Sequence, residues 1–257
     1  MTTTTPLHEL VSFLNQELRI ATYSDMAHNG LQIESSANGV SKIAFAVDAG
    51  MSVMKAAINR GCQLLVVHHG VLWGRPEPIT GAWARKLELC LTNGLSLYAA
   101  HLPLDGHPTL GNAAQLAQVL GAVSTVPSFD YKGSAIGCIA ELPAHRDVRE
   151  IAEALGRCEG ALTPPLVLPF GRSKARSIGI ATGSATSLIA EAAALNLDLL
   201  ITGEPKQEAY HTAQDLGCSV ICMGHYASET FGVRALERVL QTHFRVQTEW
   251  ISEPTGI

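Results

Sequence analysis

Two stretches of this chain lie over one another without a gap. Ile43–Gly70 reads IAFAVDAGMSVMKAAINRGCQLLVVHHG, and Ile178–Pro205 reads IGIATGSATSLIAEAAALNLDLLITGEP. Each copy starts with a short apolar run, continues into an Ala-rich segment and ends in a second run, LLVV or LLIT. Short apolar runs read as buried strands and the Ala-rich stretch as a helix, so each copy predicts a βαβ unit. The match resumes at Leu95–Asp105 (LSLYAAHLPLD) and Ser219–Glu229 (SVICMGHYASE). That register sets His101 over His225 and Asp105 over Glu229. A duplication of this kind restricts the chain to an α/β fold with two similar lobes.

The rest of the organisation follows the same alternation. Leu7–Leu18 has the apolar spacing of an amphipathic helix, and Asn29-Gly30 marks a turn. A helix over Asn112–Leu120 ends at Gly121, a C-cap signal. Lobe one is expected over 1–122 and lobe two over 178–257, the latter with a last helix at Phe231–Gln241. Residues 123–177 have no partner in the alignment and read as a connecting βαβ-like segment packed on lobe two. That segment holds a strand at Ala135–Leu142 and a helix near Asp147–Leu155. The Thr run at the start of the chain is expected to fray.

Bulk properties narrow the function classes. With 257 residues, 47% hydrophobic and 16% charged, the chain is long and apolar enough for a full core. Its net charge is −5 without a basic run, which argues against a phosphate-tracking nucleic-acid surface. No stretch approaches ~18 uninterrupted apolar residues and the start has no basic n-region, so a cytoplasmic protein with no membrane partner is expected. The six cysteines form no C-x-x-C pair and read as small, reduced core residues.

The chemistry gathers at the strand ends. His68-His69, His101-x-x-x-Asp105 and His225-x-x-x-Glu229 all follow apolar runs. In open α/β sheets, ligands bind beyond the carboxyl ends of the strands. Imidazoles and carboxylates together suit Zn, Fe, Mn or Ni. Six such residues exceed the needs of one tetrahedral ion and fit two. Two ions ~3.5–4 Å apart lower the pKa of a shared water toward ~7 and favour hydrolysis. Neighbouring strand residues point to opposite faces, so His68 and His69 share a pocket only where the strand has ended, and Gly70 supports that end. Pro103 argues for a turn rather than a helix across His101–Asp105. His225 and Glu229 read as opening the last helix, where i and i+4 share a face and Glu229 can bridge two ions as the catalytic carboxylate. Glu204, aligned with His69, reads either as a group supporting the ligands or the substrate, or as a helix N-terminal carboxylate. His211 reads as a weaker candidate of the former kind, and His107 as ordering its loop. The G-x-x-x-x-G-K-[ST], G-x-G-x-x-G and G-x-S-x-G signatures are absent.

These motifs (SDMAHNGLQIE, VVHHG, HLPLDGHPTLGN, ITGE and GHYASE) resemble, in order and over nearly the whole chain, the GTP cyclohydrolase I type 2 homologue family, the Nif-three-like or YbgI-type proteins. The resemblance implies two intertwined α/β lobes with a dinuclear metal site in the cleft between them. By motif it implies His68, His69, His101, Asp105, His225 and Glu229 as ligands. It also implies a homohexameric ring. The expected function is metal-dependent hydrolysis of a small, nucleotide-like molecule. The alternative is a non-catalytic metal-binding or scaffold protein that forms a ring.

Overall fold

The computed structural model describes residues 4–35, 39–75 and 77–257. The Thr run at the start therefore lies partly outside the described residues. Two compact units are present: Met1–Leu104 with Val233–Glu253, and Asp105–Gly232 with Pro254–Ile257. These bounds differ from the linear lobes over 1–122 and 178–257, because each unit is built from two separate pieces of chain.

Unit one begins with α1 (Leu7–Glu17), β1 (Gly30–Ile33), β2 (Lys42–Asp48), α2 (Met51–Asn59), β3 (Leu64–His69), α3 (Gly81–Thr92) and β4 (Ser96–Ala99). A single turn, α4 (Leu102–Asp105), ends this piece. Unit two runs through α5 (Asn112–Val119), β5 (Ser124–Tyr131), β6 (Ser134–Asp147), α6 (Val148–Leu155), β7 (Leu166–Pro169) and β8 (Lys174–Ile180). It continues with α7 (Ile189–Ala194), β9 (Leu199–Thr202), α8 (Gln207–Leu216), β10 (Ser219–Cys222) and the short α9 (His225–Ser228). The long α10 (Thr230–Phe244) leads to β11 (Gln247–Trp250), which belongs to unit one.

The duplication is visible in the strand orders. The first sheet runs β1-β4-β3-β2-β11 and the second β5-β6-β8-β9-β10-β7. In each, three successive strands are parallel neighbours: β2, β3 and β4 in one, β8, β9 and β10 in the other. An antiparallel edge strand lies beyond the third, β1 on β4 and β7 on β10. Parallel strands covered on both faces need unbroken apolar sequence. Leu64, Leu65, Val66 and Val67 accordingly have no exposed surface. Each such side chain contributes roughly 1.5–3 kcal/mol relative to exposure. On one face of the first sheet, Ala44, Ala46, Leu65 and Val67 pack against Val53, Met54 and Ala57 of α2. In unit two, Leu200 and Val220 meet α7 and α8, while their neighbours Leu199 and Ile221 face the cluster of α5 and α6. That split is the period-two alternation of a strand.

Three local expectations change. Residues 123–177 do not form a βαβ-like segment: β5 and β6 are an antiparallel hairpin, and β6 pairs antiparallel with β8. Its two-residue turn, Lys132-Gly133, has φ of 53° and 90°, the positive-φ geometry that suits tight hairpins. Second, β3 does not stop before its histidines. It stays paired with β2 up to Asp48 opposite His69, while its ladder with β4 ends at Val67 opposite Ala99. The strand tip is thus open on one side. Third, Leu102–Asp105 is one helical turn despite Pro103. A proline in a first turn lacks only an N–H that has no intrahelical partner there.

Candidate metal centre

In unit one, β3 and β4 carry three imidazoles to the carboxyl end of their sheet. His68 is fully buried, and the candidate ligand atoms of His68, His69 and His101 lie within 4.8 Å of one another. The rings are held from behind. His68 Nδ1 is 2.9 Å from the Ala100 carbonyl. A carbonyl only accepts, so Nδ1 carries the proton and Nε2 is the nitrogen with a lone pair that could meet a cation. His69 Nδ1 is 2.9 Å from Asp48 Oδ1, and His101 Nδ1 is 3.0 Å from Asp25 Oδ1. Metal-binding histidines characteristically donate their second ring N–H to a carboxylate or carbonyl, which fixes the tautomer and the ring plane.

Asp25 and Asn29 together clamp His101. Asp25 also accepts hydrogen bonds from the Ala27 and Leu102 amides and from the Asn29 side chain. Asn29 Oδ1 accepts from the His101 amide at 2.7 Å. Burial alone would raise the Asp25 carboxyl, but its bonds to His101, Asn29 and Ala27 outweigh burial and hold it well below the usual carboxylate range. A carboxylate fixed in its ionised form is a permanent acceptor for His101.

In unit two, β9 and β10 present the corresponding groups. His225 stands between two carboxylates, Nδ1 at 2.9 Å from Glu204 Oε2 and Nε2 at 3.2 Å from Glu229 Oε2. Burial lowers the His225 pKa, but Glu229 and Glu204 more than offset it and push it up to about 9. Glu204 is lowered in turn: burial opposes ionisation, while His225, Ser184 and Lys206 favour it and prevail. At neutral pH this raised pKa favours a proton on the nitrogen that faces Glu229. A divalent cation has the charge to replace it. Glu229 is buried, and Gly183 makes room for it: at φ +63°, a Cβ here would overlap Glu229 Oε1 and come within 3.2 Å of His225 Nε2. Asp105, also buried, accepts at Oδ1 from Asn112 Nδ2 (2.8 Å) and Thr182 Oγ1 (2.9 Å). The Gly232 amide donates to Asn112 Oδ1, which fixes the amide's orientation.

His211 is exposed on α8 with its ring edge-on to Tyr210, and it belongs to none of the His/Cys/Asp/Glu groups that could hold a metal among the described residues. His107 Nδ1 accepts from the Leu110 and Thr109 amides and so orders its loop. His28 Nε2 lies 2.8 Å from the Gly74 carbonyl. Sequence reasoning missed Asp25, Asp48, Asn112 and Thr182. Asp25 and Asn29 lie in the SDMAHNG motif, which signalled a turn and contributed to the family resemblance without singling out either residue. All six cysteines are free thiols, and burial pushes Cys138 and Cys222 up to about 12. No helix among the described residues is long and apolar enough to cross a membrane.

A sequence profile that covers residues 5–255, that of Duf34/NIF3 (NGG1p interacting factor 3), matches this chain. The chain belongs to this family. It is 42% identical over 250 residues to a Halobacterium salinarum protein named GTP cyclohydrolase 1 type 2 homolog, spanning 97% of this chain and 98% of that one. An Archaeoglobus fulgidus protein of the same name is 42% identical over 251 residues, spanning 98% and 99%. Among solved structures, a Thermus thermophilus protein superposes with a TM-score of 0.90 at 37% identity, covering 98% of this chain and 100% of that one. The protein ybgI, described as of unknown function, superposes with a TM-score of 0.89 at 32% identity and covers 98% and 100%. A Duf34/NIF3 chain with grouped histidines and buried carboxylates thus has residues that could bind a metal ion.

Proposed function

We propose that this Duf34/NIF3 chain is a metal-dependent hydrolase that acts on a small, nucleotide-like molecule. In this reading His68, His69, His101, Asp105, His225 and Glu229 hold two divalent ions. One observation carries the reading: all four histidines have Nδ1 against a carbonyl or carboxylate, namely Ala100, Asp48, Asp25 and Glu204. Four imidazoles set in the same way is the pattern that prepares Nε2 for a cation. The names of the Halobacterium and Archaeoglobus relatives support a nucleotide-like substrate.

Two divalent ions, whether Zn, Fe, Mn or Ni, supply Lewis acidity and an activated water when bound. The chain's own contribution is positional. Asp25, Asp48 and Glu204 hold the imidazole planes, Asn112 and Thr182 aim Asp105, and Gly183 leaves space for the Glu229 carboxylate. In this reading His211 is a weaker candidate for an outer substrate contact. A cytoplasmic homohexamer completes the proposal.

The test is hydrolysis of GTP and other nucleotides by the metal-loaded protein, with and without chelator, beside Glu229→Gln. Chelator should abolish the activity. Glu229→Gln should lower it by about a hundredfold or more while the fold survives. Equal activity in wild type and variant would remove the bridging role. Full metal loading with no turnover of any nucleotide would favour the scaffold reading.

A further inference from the structure

A cavity of about 540 Å³ opens in unit one, lined in part by Trp73, Trp83, Arg75, Glu77 and Lys86. That volume lies in the range of small-molecule sites. The cavity adjoins the histidine group through Trp73, whose ring is edge-on to His101 at 5.0 Å and tilted against His69 at 5.9 Å. Trp73 is 40% exposed, yet its position is fixed. Its Nε1 donates to the Gly70 carbonyl at 3.0 Å. Its backbone pairs with Ala27, and the Gly74 amide donates to the Met26 carbonyl at 2.7 Å. Residues 25–29 therefore anchor the Trp73 loop and, through Asp25 and Asn29, clamp His101.

The lining has a definite chemistry. Trp73 and Trp83 offer flat aromatic surface, and Trp83 is backed by the core of unit one. Arg75 and Lys86 supply two cations against the single carboxylate of Glu77. The Lys86 ammonium donates one hydrogen bond, to the Ala49 carbonyl at 2.8 Å, and an ammonium has three to give. Indole faces accept any planar ring, and guanidinium and ammonium groups accept phosphate or carboxylate oxygens.

We infer that this cavity is a binding site for a planar aromatic ring that carries an anionic group: the ring rests on the tryptophans, and the anion is held by Arg75 and Lys86. As the substrate subsite beside His69 and His101, it rests on the proposed metal-dependent hydrolysis. As a binding site it is measurable without turnover. Glu77 adds an acceptor suited to an amino group on the ring.

The experiment is calorimetric titration with AMP, adenosine and ribose 5-phosphate, with metal content measured on the same samples. The proteins are wild type, Trp73→Ala, Trp73→Phe and the Arg75→Ala/Lys86→Ala double variant. AMP should bind wild type at least about tenfold tighter than either fragment. The double variant should lose at least about tenfold in AMP affinity while adenosine binding is kept. Trp73→Phe should retain AMP binding that Trp73→Ala loses. Normal metal content with no AMP binding, or with AMP binding equal in all four proteins, overturns the cavity proposal and leaves the metal reading standing. Absent metal with AMP binding that follows the variants overturns the metal reading and leaves the cavity as the binding site.

Discussion

Gln63 and Asp198 make the same pair of backbone hydrogen bonds in the two units. Gln63 Oε1 accepts from the Ser41 and Lys42 amides at 2.9 and 3.0 Å. Asp198 Oδ2 accepts from the Arg176 and Ser177 amides, both at 2.9 Å. Each residue precedes the second strand of its βαβ unit and ties it to the first strand. The gap-free alignment of the two halves places Gln63 over Asp198, so the duplication extends to side-chain detail. The two differ in charge, and that difference has consequences for stability.

Asp198 is buried and also pairs with Arg172. Burial raises its carboxyl, but the Ser177 and Arg176 amides and the Arg172 guanidinium outweigh burial and hold it below the ordinary value. Asp198→Asn should therefore cost about 1–3 kcal/mol at neutral pH, measured by urea unfolding. A depressed folded pKa gives stability that is full above the unfolded value of about 3.9 and lost as pH falls through the folded value. The gap between wild type and variant should hold above about pH 5 and close in acid. A gap that widens in acid would contradict this assignment.

Asp25→Asn should weaken metal binding by about 10–100-fold in chelator competition, because an amide can no longer serve His101 as a fixed acceptor. Asp48→Asn should act in the same direction through His69. Unchanged affinity in both variants would mean that these carboxylates do not position ligands.

The strand-end motifs are legible in the sequence for a simple reason. Each parallel strand is a continuous apolar run, and its ligand follows directly. Asp25 and Asn29 have no such signal. The antiparallel pairing of Gly30 with Ala99 brings them to His101, and no local periodicity encodes a contact that long-range. Asp48 is equally hidden, since its role depends on the parallel register that sets it opposite His69. The β5–β6 hairpin escapes for another reason. It has no partner in the repeat, and its short Lys132-Gly133 turn is outweighed by the βαβ pattern found elsewhere in the chain.

Gly183 is the position where one added carbon should do most harm. A residue with a Cβ pays about 1–2 kcal/mol for left-handed backbone, and here the Cβ would also meet Glu229. Gly183→Ala should lower the melting temperature and weaken metal retention together. The aligned position in unit one is Asp48, whose side chain holds His69. A variant that loses stability but keeps full metal affinity would show that Glu229 tolerates displacement.

Metal content per chain, measured on protein purified without added metal or chelator for wild type and His68→Ala, decides whether these residues hold a pair of ions. Close to two ions per wild-type chain and a clear loss in the variant are expected. Wild-type protein that carries almost no metal, and takes up none of Zn, Mn, Fe or Ni when they are supplied, would contradict the two-ion reading.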